Sequence, residues 1–187
     1  MANPKAPPWK IDPKFKQKLT EEDAKLIFEE AEKAFNDSIE TSIRILDRNT
    51  SLLQLVSGIL VGLVAFSISR WEKNFYFDSL LITTIAGIVY FFLLGLLFIF
   101  PNIKPKIYVL PGTQPKKLFV DPVFDTSKEN RVLHLYMIKI TSLQEGIDDN
   151  RALNNTRWDY YKKSLNFLFY SPIFLICVYL LMNIIVK

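Results

Sequence analysis

The sequence predicts an all-α integral membrane protein. Three transmembrane helices are expected, two of them continuous with long cytoplasmic helices that form a stalk, plus a short Pro-rich extended or hairpin segment. Two observations predict this. First, three runs carry no charged residue: Asn49–Ser69, Ser79–Ile103 and Ser164–Val186, of 21, 25 and 23 residues. The hydrocarbon core of a bilayer takes about 20 residues as helix, and one Lys or Asp at mid-membrane costs about 2.5–3.5 kcal/mol on insertion scales. Second, charged stretches that read as helix lead without Gly or Pro into the first run and nearly so into the third.

The elements follow in order. Residues 1–19 form a basic arm, with Pro4, Pro7, Pro8 and Pro13 set among Lys5, Lys10, Lys14, Lys16 and Lys18. Such a segment is extended and can either fray or touch an anionic leaflet. Thr20-Glu-Glu-Asp23 then reads as a capping box, with three acids in the first turn to suit the positive end of the helix dipole. Over 20–48 a stripe recurs at helical spacing: Ala24, Ile27, Phe28, Ala31, Ala34, Phe35, Ser38, Ile39, Ser42 and Ile45. The soluble part of this helix would be about 43 Å long, and it needs a partner to cover its stripe.

The first span (49–69) contains Gly58-Ile-Leu-Val-Gly62, with Ser57 and Ala65 extending the small face. This GxxxG lets two backbones approach, either inside the protomer or around an oligomer axis. Trp71, Phe75, Tyr76 and Phe77 mark the outer interface, and Trp158, Tyr160 and Tyr161 the inner one. The second span (79–103) is expected to end as a helix at Pro101. Residues 104–127 hold Pro105, Pro111, Pro115 and Pro122, with β-prone runs on both sides of Pro111-Gly112. A second cytoplasmic helix follows at 128–163, with a seam of Leu133, Tyr136, Ile140, Leu143 and Ile147 continued by Asn150, Asn154, Arg157 and Tyr161. Unbroken, it would reach about 54 Å, and Gly146 is where it could bend. The third span (164–186) carries Pro172 near its inner end.

Orientation follows from Lys and Arg. Met1–Arg48 holds nine and Lys104–Lys163 eleven, against Arg70 and Lys73 in the loop between the first two spans. The Lys/Arg-rich segments belong in the cytoplasm, so the C-terminus lies outside. Cys177, the only cysteine, falls within the third span and reads as a packing residue. His134 is the only histidine, no span carries a carboxylate, and there is no phosphate loop. No enzyme, cofactor or metal centre is expected. The candidate ligand site is instead a polar patch of Asn150, Arg151, Asn154, Asn155 and Arg157, with Lys116, Lys117 and Arg131 elsewhere in the same segment. Arg would hold phosphate and Asn a base edge; the competing reading is a hydrated stalk with lipid-headgroup contacts.

The layout resembles the membrane effectors of bacterial anti-phage systems, the Pycsar-type transmembrane effector and the related SLATT group. The resemblance covers Phe28 to Val186. It lies in Asp47-Arg-Asn-Thr-Ser-Leu-Leu-Gln-Leu-Val-Ser-Gly58, in Phe100-Pro101, in Lys117-Leu-Phe-Val, and in the helix Leu143-Gln-Glu-Gly-Ile-Asp-Asp-Asn-Arg151 that passes through Arg157-Trp-Asp-Tyr-Tyr-Lys-Lys163 into a span. Arg48-Asn49 departs from the commoner Lys-Ala pair, and the third span is of full length. The resemblance implies a defence effector in the bacterial inner membrane. A partner nucleotidyltransferase or cyclase would make a nucleotide or oligonucleotide signal, and the effector would open or disrupt the bilayer. A homo-oligomer such as a tetramer is expected, with Ser57, Gly58, Gly62 and Ala65 near its axis. The competing class is a non-conducting anchor or scaffold whose stalk docks another protein.

Overall fold

The computed structural model describes residues 11–12, 14, 18–73, 78–104 and 128–185. Its elements are α1 (Glu21–Lys73), α2 (Ser79–Leu94), a π-helical turn (Gly95–Ile99), α3 (Phe100–Ile103) and α4 (Lys128–Ile185). No strand occurs among the described residues. All of the expected hairpin segment 104–127 after Lys104, and most of the basic arm in 1–19, lie outside them. Three helices are long and apolar enough to cross a membrane, within Glu21–Trp71, Ser79–Ile103 and Asn130–Ile185.

The start of α1 is built by its sequence. Asp23 N–H donates to Thr20 Oγ1 at 3.2 Å, while Asp23 Oδ2 accepts from the Thr20 amide at 3.1 Å. These reciprocal bonds satisfy donors that a helix end would otherwise leave open. They also hold the Asp23 carboxyl below its ordinary value, chiefly through the Thr20 hydroxyl. From there α1 runs 53 residues without a break. Helix α4 runs 58, unbroken through Gly146 and through Pro172. Pro172 has no N–H for the Leu168 carbonyl, and the Ser171 hydroxyl donates to that oxygen at 2.7 Å in its place.

The chain divides into two compact units. The first joins α1 up to Ser42 with α4 up to Asn154. Its apolar centre is Phe35, Leu143 and Ile147, flanked by Phe28, Ala31, Ala34 and Ile39. Burying side chains of this size contributes about 1.5–3 kcal/mol each. Phe28 also packs on Tyr136, with ring centroids 5.6 Å apart, and Lys139 Nζ lies over the Phe28 ring. The predicted stripe of α1 is thus its packed face, except that Ile27 is 43% exposed.

The second unit joins Ile43–Lys106 with Asn155 onward. Leu52, Val56, Phe91, Leu94 and Ile99 form its centre, with Leu60, Leu63, Leu168 and Leu175 packed around them. The close approach here is at Gly87, where a Cβ would lie 3.1 Å from Leu175 Cδ2 and 3.4 Å from Leu63 Cδ1. Gly58 and Gly62 have nothing within 4 Å of that position, so the GxxxG does not pack inside the protomer. Tyr90 donates its hydroxyl to the Phe167 carbonyl at 2.7 Å and stacks on Phe174 at 4.8 Å. Asp78 caps α2, accepting from Leu81 N–H at 2.9 Å, and takes Arg70 Nε at 3.1 Å on its other oxygen.

Pro101 does not end the second apolar helix. Phe100 N–H reaches back to the Gly95 carbonyl, a π-type bond, and the chain continues helically to Ile103. The extra residue in that turn shifts the phase of everything after it. Along α2 the buried positions include Gly87, Phe91 and Leu94. A regular helix would next turn Phe98 and Pro101 inward. The residues buried are Ile99 and Asn102 instead.

Candidate functional site

Each unit carries a buried polar cluster where its apolar centre stops. In the first, Ser38 and Ser42 of α1 face Asn150 and Asn154 of α4. Ser42 Oγ donates to Asn154 Oδ1 at 2.6 Å, Asn154 Nδ2 donates to the Ser38 carbonyl at 2.9 Å, and Asn150 Nδ2 donates to Ser38 Oγ at 3.2 Å. Ser38 Oγ in turn donates to the Phe35 carbonyl at 2.6 Å. All four residues are buried, and none of their side-chain polar atoms is buried without a partner. The small hydroxyl residues let the helices come close enough for asparagine to cross between them.

In the second unit one buried polar residue comes from each of three helices. Asn102 Nδ2 donates to Asn49 Oδ1 at 3.0 Å and to the Arg157 carbonyl at 3.1 Å. Asn49 Nδ2 donates to the Ile45 carbonyl at 2.8 Å. Asn102 and Arg157 are each 1% exposed. Burial lowers the Arg157 pKa from the ordinary guanidinium value, because removing the charged form from water disfavours it. The Asn102 Oδ1 is a buried acceptor with no hydrogen-bond partner. Such an atom costs about 1–3 kcal/mol. The π turn, by setting the phase of α3, is what delivers Asn102 to this place.

Beside the cluster Arg48 lies over the Trp158 ring at 5.5 Å and Lys162 over the same ring at 5.8 Å, while Trp158 stacks on Tyr161. This is an aromatic and cationic collar of the kind that sits at a membrane interface. The Arg70–Asp78 pair marks the opposite end of the apolar segments. There Arg70 holds the Asp78 carboxyl below its ordinary value, with the Leu81 N–H adding to the effect.

The residues proposed from sequence for ligand binding are not presented together. Asn150, Asn154 and Arg157 are buried, the first two in hydrogen bonds to α1. Arg151 and Asn155 are exposed, and Arg131 is half-buried. Lys116 and Lys117 lie outside the described residues. Ser57, Gly58, Gly62 and Ala65 are all exposed. Sequence reasoning missed Asn49, Asn102 and Gly87. The available signal was that polar Asn49 and Asn102 stand at the Lys/Arg-rich ends of their apolar runs. Among the described residues no group of three or more His, Cys, Asp or Glu gathers as metal ligands would. Comparison with protein-family models, with curated proteins and with solved structures finds no match to this chain.

Proposed function

We propose that this chain is a signal-responsive membrane effector of the anti-phage kind its layout resembles, oligomeric and seated in a bacterial inner membrane with its N-terminus in the cytoplasm. One observation carries the reading. Helices α1 and α4 each run without a break from the Ser38–Asn154 cluster into an apolar segment long enough to cross a bilayer. A change in tilt or rotation at the cytoplasmic part is then carried along two helices at once. The Asn49–Asn102–Arg157 cluster is the natural place for that change to be felt, since its bonds tie all three apolar helices together.

Charge narrows where a nucleotide could land. Residues 21–42 carry eight acids and two lysines, so an anion is repelled from that side. The α4 side offers the exposed Arg151 and Asn155, and the signal is expected there. Asn150 and Asn154 would join it only by leaving their partners on α1. That same completeness favours the competing reading, a non-conducting scaffold in which the cluster is a fixed clamp.

The test is potassium and dye release from phosphatidylethanolamine/phosphatidylglycerol liposomes that hold the purified protein. Cyclic mononucleotides, cyclic dinucleotides and short oligoadenylates are added in turn to the side exposing residues 21–42. Release with one of them, lost in Arg151→Ala at equal insertion, is the expected result. Tight vesicles under every nucleotide would overturn the effector reading in favour of the scaffold.

A further inference from the structure

The two ends of the apolar segments treat their cations differently. At one end Arg70 is matched by a carboxylate of its own chain, its Nε donating to Asp78 Oδ2 at 3.1 Å. At the other end cations stand beside every charge-free run: Arg48 before the first, Lys104 after the second, Lys162-Lys163 before the third. The bonds among Asn49, Asn102 and Arg157 bring these three run ends to one level. All four cations are exposed, and none makes an ion pair with a described residue. Asp47 and Asp159 are close in sequence and exposed too, yet neither pairs with a described cation.

Two of the four cations converge. Arg48 of α1 and Lys162 of α4 lie over the same Trp158 ring, 5.5 and 5.8 Å from its centroid. Lys163, by contrast, lies over Tyr160 of its own helix. The Trp158 ring attracts each cation through its quadrupole but carries no net charge to neutralise them. Like charges gathered at one ring repel, and an anion between them turns that repulsion into attraction. The Trp158 indole N–H donates to no described residue, so it is a further donor at the same place. Guanidinium, ammonium and indole offer donors only, which calls for a ligand that is both negative and an acceptor. Depth selects among such ligands. The ring lies just outside the charge-free runs, in the headgroup layer where phospholipid phosphates sit.

We propose that the phosphodiester of an anionic phospholipid, phosphatidylglycerol in a bacterial inner leaflet, seats at the edge of Trp158 and bridges Arg48 to Lys162. The proposal rests on the reading of these segments as membrane-spanning with their Lys/Arg-rich ends inward. Arg48 adjoins Asn49 and Trp158 adjoins Arg157, so the bound headgroup ties α1 to α4 beside the Asn102 junction. A lipid held there steadies that junction from outside.

The test is quenching of Trp158 fluorescence by brominated lipid, in the full chain carrying Trp9→Phe and Trp71→Phe. The protein is placed in dioleoylphosphatidylcholine vesicles in which about one lipid in ten is brominated, as phosphatidylglycerol or as phosphatidylcholine. The expected result is at least threefold more quenching by the brominated phosphatidylglycerol. At equal insertion, Arg48→Gln and Lys162→Gln should each abolish that preference, and Lys162→Arg should keep it. Lys163→Gln, an equal loss of charge at the same depth, should keep it as well. Equal quenching by the two lipids would overturn the proposal. So would a preference that falls as far in Lys163→Gln, since that means a diffuse surface charge. A preference erased by inorganic phosphate or a cyclic dinucleotide at constant ionic strength would give the site to a soluble anion and also overturn it. Lipid preference without nucleotide-dependent release would keep this site and sink the effector reading; release without preference would do the reverse.

Discussion

The two buried polar clusters differ in how completely they are satisfied, and on the proposed reading that difference would separate a clamp from a joint. Ser38, Ser42, Asn150 and Asn154 close on one another and on backbone carbonyls, leaving no buried side-chain atom without a partner. The Asn49–Asn102–Arg157 cluster leaves Asn102 Oδ1 buried and open, next to a π turn and a proline. A satisfied network rigidifies the helices that make it. One that is short of a partner sits higher in free energy and has something to gain by rearranging. π turns inside α-helices are frequent at functional sites for a related reason: one residue of slack can be taken up or released.

Removing that slack should give the largest effect. Deleting Leu96, an exposed residue of the π turn, restores regular helix and turns Ile99 and Asn102 about 100° away from the centre. We expect a loss on the order of 3 kcal/mol, from the exposed Ile99 and the broken polar bonds, read as a lowered midpoint of thermal unfolding in detergent. An unchanged midpoint would mean that the phase shift is incidental.

The clusters themselves can be set against each other. Asn154→Leu removes both the acceptor for the Ser42 hydroxyl and the amide donor to the Ser38 carbonyl, leaving the hydroxyl only its bond to that carbonyl, and should cost about 1–3 kcal/mol. Asn102→Leu takes the donor from Asn49 Oδ1 and the Arg157 carbonyl, but it also removes the unpaired Asn102 Oδ1, and that relief should make its net cost the smaller of the two. The same unfolding measurement checks both, and the reverse order would break the comparison.

The smallest effect belongs to the far end of the apolar segments. Asp78 is held below its ordinary pKa by Arg70 and by the Leu81 amide. A carboxyl lowered on folding contributes stability that is present above its unfolded value, about 3.9, and is lost as pH falls through the lower folded value. Asp78→Ala should therefore cost about 1 kcal/mol at pH 7, mostly as a lost helix cap, and less as pH falls through the lowered folded pKa of the carboxyl. With both partners more than a third exposed, the ion pair itself adds little. Unfolding midpoints of wild type and variant at pH 7 and at pH 2 would expose any larger role.

Much of this architecture was legible in the sequence. Charge-free runs gave the apolar segments, the lack of Gly or Pro gave the length of α1, and Thr20–Asp23 gave its start. The seam of α4 was readable from Ile140 to Asn154 because helical periodicity is local. What was not readable is non-local or breaks that periodicity. Asn150 and Asn154 look like a ligand patch until Ser38 and Ser42, more than a hundred residues away, are seen to claim them. Pro101 looks like a stop because a helical wheel assumes a constant turn, and the π turn hides Asn102 for the same reason. The GxxxG could have packed inside the protomer; Gly87 takes that part instead.

The most direct measurement is potassium efflux from liposomes carrying Asn102→Leu, beside wild type and Asn154→Leu at equal insertion and with no nucleotide added. If the Asn102 junction is the joint that holds the resting state, Asn102→Leu should leak at least tenfold faster than wild type, while Asn154→Leu should not. Efflux from Asn102→Leu equal to wild type would contradict the account.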